Sequence, residues 1–151
     1  MDEANSAIGV ARAALDALHD DVLMRVQNDL FDLGADIATP GDDFAPSEMA
    51  LRIVPSQVEW LEATIDRVNA DLDPLKSFIL PAGTPGAAAL HLARAIVRRA
   101  ERAMVAANRV ARLNPQALTY INRLSDLVFI LARDVNKRAA GDVLWVPGAS
   151  R

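Results

Sequence analysis

Three arginines recur every four residues between Arg94 and Arg102, in the stretch RAIVRRAER. On an α-helix, Arg94, Arg98 and Arg102 lie along one stripe. Their guanidinium groups can bind carboxylate or phosphate oxygens in bidentate fashion. Because like charges at this spacing repel each other, a stable helix needs anions nearby, and Glu101 in the same stripe supplies one. A phosphate or a carboxylate of a partner could supply the others.

A second interpretation of this stripe needs no ligand. Arginine and glutamate on one side of a helix usually form a solvated surface with weak ion pairs. The opposite side carries Ala93, Val97 and Met104, which suits burial in a helical bundle. The pattern alone favours a bundle with one arginine-rich polar side.

Several other chemistries are disfavoured by the sequence. It contains no GxxxxGK[ST] loop, no GxGxxG turn and no convincing Ser/His/Asp set. With no cysteine, it can form neither a disulfide nor a thiolate metal site. The two histidines lack ligand spacing, so we expect no metal site held by protein ligands.

Composition predicts one soluble helical domain. The 151 residues are 52% hydrophobic but only 5% aromatic, which favours closely packed helices over a β-sandwich. A net charge of −4 argues against nucleic-acid binding. No apolar run is long enough to span a bilayer and no signal-peptide pattern is present, so we expect a cytoplasmic protein without membrane association.

Hydrophobic periodicity and helix-start signals predict an all-α fold. Pro55 and Pro115 suit first helical positions, and Asp20 or Asp21 could cap the second helix. The expected helices cover about 2–16, 20–35, 55–72, 85–112 and 115–140, with a loop at 39–50 and an extended tail after Gly141.

Five blocks of sequence, taken in order, resemble the PduO-type ATP:cob(I)alamin adenosyltransferases. They are DEANSAIGVARA (2–13), QNDLFDLGADIATP (27–40), LKSFILPAG (75–83), RRAER with NRLSDLVFILAR (98–102 and 122–133), and GDVLWVPG (141–148). The resemblance implies a five-helix bundle that assembles as a homotrimer with active sites between subunits. It places a Gly- and Thr-rich ATP-binding loop before the first block, so we expect residues 1–151 to form a single adenosyltransferase domain that lacks this loop.

The implied reaction transfers the 5′-deoxyadenosyl group of ATP to cob(I)alamin, giving adenosylcobalamin and triphosphate. Cob(I)alamin is itself the nucleophile, so the protein's tasks are positioning and electrostatics. The resemblance implies ATP with Mg²⁺ and cobalamin as ligands, and a cobalamin reductase or an adenosylcobalamin-dependent mutase as partners. Two alternatives stay open: a truncated or degenerate relative that binds corrinoid without turnover, and a structural trimeric bundle whose arginines form salt bridges between subunits.

The resemblance also assigns nucleotide-binding residues. Arg98 would bind phosphate oxygens, and Asn122 would contribute from the fifth helix. Arg94 would pair with Asp2 of a neighbouring subunit and shape the interface. The rest of the nucleotide-binding run would be Arg99, Ala100, Glu101 and Arg102.

Phe78 and Phe129 would form an apolar floor that keeps the lower axial ligand away from cobalt. For Phe78, the sequence leaves a second interpretation open, in which the trio Phe78-Ile79-Leu80 anchors its loop to the core. The chain has PAG where the family usually has PGG, so Ala82 would be strained if that position required positive φ.

Overall fold

The computed structural model describes residues 1–47 and 50–149, and their regular secondary structure consists of five α-helices. This confirms the predicted all-α class. Residues 48–49 of the predicted 39–50 loop lie outside the described part of the chain. The helices are α1 (Asp2–Ala13), α2 (Asp20–Ile37), α3 (Pro55–Asn69), α4 (Pro85–Ala107) and α5 (Pro115–Lys137).

Helix α5 lies at the centre of the bundle. It packs mainly against α4 and α3, while α1 packs against α4 and α2. Its core-facing residues Leu124, Val128 and Leu131 are fully buried. Burial of such a side chain contributes about 1.5–3 kcal/mol to the stability of the fold. Helix α5 is therefore a stable element that can fix the position of the chain segments bonded to it.

Proline and a polar cap start the two long helices. Pro85 and Pro115 occupy the first turns of α4 and α5. The Thr84 side chain accepts a hydrogen bond from the Ala87 N–H, and Asn114 accepts one from the Gln116 N–H. The predicted start of α5 at Pro115 is therefore confirmed. These caps satisfy backbone donors that the helix itself cannot.

The turn between α1 and α2 differs from the prediction. Helix α1 ends at Ala13 instead of Leu15 or Asp16, because three residues that follow adopt positive φ: Asp16 (45°), Ala17 (66°) and His19 (60°). His19, not Asp20 or Asp21, is the N-cap of α2. The Asp20 carboxylate instead accepts two hydrogen bonds of 2.8 Å from Arg12.

Replacing Ala17 by glycine is expected to stabilise the protein. Alanine in the left-handed region loses about 1–2 kcal/mol, and glycine avoids that strain at a smaller entropic cost, so a net gain of about 0.5–1 kcal/mol follows. Chemical denaturation measures the change. Ala13→Gly, within α1, is the control and should destabilise by about 1 kcal/mol. Equal effects of the two substitutions would contradict the left-handed assignment.

Helices α3 and α4 also end earlier than predicted, at Asn69 and Ala107 rather than Leu72 and Arg112. After α4, tighter turns follow, in which Arg109 and Val110 donate to carbonyls three residues back. The Asn108 side chain accepts a hydrogen bond from the Leu113 N–H. Such local side-chain bonding competes with helix continuation, and it ends α4 before the apolar pattern does.

The buried Asp36 ties three parts of the chain together at one end of the bundle. Its carboxylate accepts hydrogen bonds from Arg52 (2.8 Å), the Ile53 N–H (2.7 Å) and Asn114 (2.7 Å). The end of α2, the segment before α3 and the start of α5 are therefore held in one arrangement. None of the described helices is long and apolar enough to cross a membrane.

Candidate functional site

The Arg98 cluster consists of Arg98, Glu101 and Asn122, at the contact between α4 and α5. Arg98 forms an ion pair with Glu101, and Asn122 donates to the other oxygen of the same carboxylate at 2.8 Å. The Arg98 side chain is 43% exposed, whereas that of Glu101 is 12% exposed. The more buried Glu101 carboxylate therefore fixes the position of the Arg98 side chain, and part of the Arg98 guanidinium stays accessible to an anion.

The structure separates the other residues of the predicted nucleotide-binding run. Arg102 lines a shallow groove of about 310 Å³ next to the Arg98 cluster. Arg99 points to another side of α4 and pairs with Glu3 of α1. Ala100 lies beside Met1 and Ile37 in a small apolar cleft, away from Arg98. Of the predicted nucleotide-binding residues, the structure therefore brings together Arg98, Glu101, Arg102 and Asn122, and it places Arg99 and Ala100 elsewhere.

A larger cavity lies next to Phe78. It has a volume of about 650 Å³ and is lined by residues of the segment between α3 and α4, of α4 and α5, and of the C-terminal tail. Phe78 is 77% exposed, so the prediction that it anchors its loop in the core is wrong for this chain. The lining residues are Leu75, Lys76, Ser77, Phe78, Ile79, Arg94, Phe129 and Trp145.

The conformation of this segment depends on a glycine at position 83 and not on a glycine at position 82, where the chain has Ala82. Gly83 has φ of 113°, and Ala82 is not among the residues with positive φ. A Cβ on Gly83 would lie 2.1 Å from Oδ1 of Asn136. Asn136 holds the end of the segment, donating to the Ala82 carbonyl at 3.0 Å and accepting from the Thr84 N–H at 3.1 Å. The predicted strain at Ala82 is therefore absent.

Phe129, which lines the cavity, contacts two residues of α4. The Arg94 guanidinium carbon lies 5.1 Å from the centre of the Phe129 ring, and the His91 ring packs edge-on against it at 6.2 Å. Burial and the positive charge of Arg94 lower the pKa of His91, against the opposing effect of Asp142, which favours the neutral imidazole. Its buried Nε2 has no hydrogen-bond partner among the described residues.

Asp2 and Arg94 do not meet within one chain. Asp2 lines a cleft of about 560 Å³ between α1 and α2, together with Asn5, Arg12 and Phe31. No ion pair of either residue occurs in the described parts of the chain. The pairing implied by the resemblance would have to form between two copies of the chain.

Sequence reasoning did not identify Arg133, Asp142 and Trp145 as parts of the site. Arg133 and Asp142 form a buried ion pair of 3.0 Å, and Trp145 contacts Phe78 with ring centres 5.9 Å apart. The block GDVLWVPG, one of the five that carry the resemblance, indicated that the tail is relevant to function. It did not show which segment the tail contacts.

Together, the Arg98 cluster and the Phe78 cavity suit two different ligands. The first offers partly exposed positive charge to an anion, and the second offers an apolar floor with an arginine at its edge. Arg94 and Arg98 lie one helical turn apart, about 6 Å along α4. Within the described residues, no group of three or more His, Asp or Glu side chains is placed to bind a metal ion. The geometry is therefore suited to binding and orienting two molecules beside each other.

Comparison with known proteins gives a consistent result. Residues 1–135 match the family model described as cobalamin adenosyltransferase. The chain is 49% identical to a corrinoid adenosyltransferase of Mycobacterium tuberculosis, over 99% of this chain and 78% of that protein. It is 42% identical to one from Bacillus subtilis, over 95% of this chain and 75% of that protein.

Solved structures show the same similarity. A phenylalanine-to-alanine variant of the PduO-type ATP:corrinoid adenosyltransferase from Lactobacillus reuteri, complexed with cobalamin and ATP, superposes with a TM-score of 0.84. It is 39% identical to this chain, covering 95% of this chain and 81% of that one. An arginine-to-lysine variant of the enzyme, complexed with ATP, gives a TM-score of 0.85 at 37% identity, covering 96% of this chain and 82% of that one.

Proposed function

Because the chain belongs to the cobalamin adenosyltransferase family and is an ATP:corrinoid adenosyltransferase, we propose that the Arg98 cluster and the Phe78 cavity are the two halves of its active site. The enzyme transfers the 5′-deoxyadenosyl group of ATP to cob(I)alamin, giving adenosylcobalamin and triphosphate. The observation that supports this placement is the position of Arg94 and Arg98, one turn apart on α4, at the edges of the cavity and the cluster.

The Arg98 cluster is proposed to bind the triphosphate of ATP. Arg98 contributes the phosphate contact, Arg102 lies beside it in the groove, and Asn122 fixes Glu101 from α5. Arg99 and Ala100 lie on other sides of α4, where Arg99 pairs with Glu3 of α1 and Ala100 lies beside Met1 and Ile37, so neither is assigned a contact with ATP. In the transfer, the cobalt lone pair forms a bond to the 5′ carbon while the carbon–oxygen bond to triphosphate breaks, so the guanidinium groups stabilise charge on the leaving group.

The Phe78 cavity is proposed to bind the corrinoid. Its apolar floor, formed by Phe78 and Phe129, occupies the place of the lower axial ligand and favours four-coordinate cobalt(II), which is easier to reduce. The solved Lactobacillus reuteri variants replace a phenylalanine and an arginine that are twenty positions apart. Phe78 and Arg98 have the same separation, which supports placing both residues in the active site.

We propose that Mg²⁺ accompanies ATP, because a divalent cation usually neutralises a bound polyphosphate. The ion would be bound by phosphate oxygens and water, which requires no cage of protein ligands. A cobalamin reductase is proposed to supply the electron that forms cob(I)alamin, and an adenosylcobalamin-dependent mutase to receive the product. The reactive nature of cob(I)alamin supports direct contact with these partners.

The protein is expected to be a homotrimer in solution, with Asp2 of one subunit paired to Arg94 of the next. Each of these residues is exposed and has no ion pair within the described chain. Light scattering at low micromolar concentration should give three times the monomer mass of 16.3 kDa. Arg94→Ala should weaken the trimer, whereas Arg112→Ala, at an exposed pair with Asp42, should not. A wild-type protein that stays monomeric would exclude a site between subunits.

Turnover with chemically reduced cob(I)alamin and Mg²⁺–ATP tests the proposed function. Formation of adenosylcobalamin, followed by its absorption spectrum, is expected. ATP binding without product would favour the alternative of a degenerate relative that binds without turnover. A protein that binds neither ATP nor cobalamin would favour the structural bundle.

A further inference from the structure

Among the described residues, the hydrogen bonds that join the segment carrying Phe78 to the helices lie at its two ends. At its start, Arg133 of α5 donates to the Asp73 carbonyl at 2.7 Å. At its end, Asn136, also of α5, donates to the Ala82 carbonyl. Phe78 lies between these anchors and is largely exposed. The helices alone therefore do not determine where its ring points.

Residues 142–146, here called the tail, form hydrogen bonds with the middle of the segment that carries Phe78. The Trp145 N–H donates to the Phe78 carbonyl at 2.9 Å, and the Leu80 N–H donates to the Val143 carbonyl at 2.8 Å. The Ser77 hydroxyl donates to the Trp145 carbonyl at 3.1 Å. Together with the antiparallel bridge between Ile79 and Leu144, these contacts join the tail to the tip of the segment.

The same guanidinium fixes the tail and the segment to α5. Arg133 forms its ion pair with Asp142 at the start of the tail and bonds the Asp73 carbonyl with another nitrogen. The side chains of Arg133 and Asp142 are only 9% and 13% exposed, so solvent screens the pair weakly. Loss of the contact with Asp142 would detach the start of the tail from α5, and loss of the contact with the Asp73 carbonyl would detach the start of the segment that carries Phe78.

We infer that Trp145 is a positioning residue for Phe78, acting through the edge-on contact of its ring, while its backbone N–H, which every variant at this position except proline retains, joins the two segments. The Trp145 ring meets the Phe78 ring at 69° and lines the same cavity. An aromatic pair in this arrangement favours one orientation of each ring. Trp145 is 44% exposed, so part of its ring faces the cavity and is not buried in the core. The inference rests on the proposed role of Phe78 in excluding the lower axial ligand.

The test compares Trp145→Ala with Trp145→Phe and with the control Val146→Ala, a 63% exposed neighbour in the tail. With ATP and cob(II)alamin bound, the four-coordinate fraction is measured by electron paramagnetic resonance. For Trp145→Ala, we expect that fraction and the rate of adenosylation from cob(II)alamin to fall about three- to tenfold, the effect of losing an aromatic pair. The rate with pre-reduced cob(I)alamin should change less than twofold. The melting temperature should stay within about 4 °C of the wild type.

Trp145→Phe should recover most of the four-coordinate fraction, since a ring remains beside Phe78, and Val146→Ala should behave as the wild type. A wild-type four-coordinate fraction in Trp145→Ala, alongside a loss of it in Phe78→Ala, would overturn the inference and leave the proposed function intact. If Phe78→Ala also kept the wild-type fraction, the proposed role of Phe78 would itself be wrong. Equal losses with cob(II)alamin and with cob(I)alamin would assign Trp145 to general corrinoid binding and would also overturn the inference.

Discussion

Phe78→Ala should lose most adenosyl transfer from cob(II)alamin while the protein stays folded. The ring is 77% exposed, so its removal takes away little buried surface. A truly buried phenylalanine would cost about 3–5 kcal/mol on truncation to alanine. If the cavity binds the corrinoid as proposed, truncation would admit the lower ligand or water to cobalt, and five-coordinate cobalt(II) is harder to reduce. We expect a rate loss of about a hundredfold, equivalent to about 2.7 kcal/mol in the barrier.

The absorption spectrum or electron paramagnetic resonance of the bound cobalamin reports this change directly. In Phe78→Ala, cobalt(II) should stay five-coordinate in the presence of ATP, and pre-reduced cob(I)alamin should restore part of the rate. Val110→Ala, at an 88% exposed site after α4, is the control for loss of a surface apolar side chain. A melting temperature lower by more than about 6 °C, with normal activity in the folded fraction, would return Phe78 to a structural role.

Arg98→Ala should weaken ATP binding and leave the fold and the assembly intact. A hydrogen bond to a charged group contributes about 1.5–3 kcal/mol, which corresponds to a loss of about ten- to a hundredfold in affinity. Calorimetry with Mg²⁺–ATP measures the affinity. Arg98→Lys should recover only part of it, because an ammonium group cannot offer the two parallel donors of a guanidinium.

The matched control for this pair is Arg112→Ala, which removes an arginine from an exposed ion pair away from α4. It should bind ATP as the wild type does. If the arginines of α4 only joined subunits, Arg98→Ala would instead lower the melting temperature or dissociate the assembly with ATP affinity unchanged. The two measurements therefore separate a ligand-binding role of Arg98 from a structural one.

The helices could be predicted because their signals are local. Pro115 after Asn114, Pro55 and the apolar stripe of α5 depend on residues within one or two turns. The left-handed turn at 16–19 could not be predicted in this way. His19 bonds to Asp134, 115 positions away, and that contact helps to hold His19 in a conformation disfavoured for a non-glycine residue.

The same distinction applies to the site. Periodicity showed correctly that Arg98, Glu101 and Arg102 share one side of α4. It could not show that Glu101 also accepts from Asn122, or that Arg99 pairs with Glu3. These contacts depend on which helix lies opposite. The exposure of Phe78 and its support by the tail were likewise beyond a periodicity argument, because both segments lack regular structure.

The spacing of one helical turn between Arg94 and Arg98 also determines where an insertion in the chain would disturb the site. Each residue added to a helix rotates everything beyond it by about 100° and moves it 1.5 Å along the axis. A single insertion between Arg94 and Arg98 would therefore turn the Arg98 side chain, proposed to bind phosphate, away from the Phe78 cavity, even if the bundle still formed. An insertion in the segment between α2 and α3 would shift neither arginine. An insertion or deletion within this part of α4 would therefore change the relative orientation of the two arginines, whereas a change in the length of a loop would not.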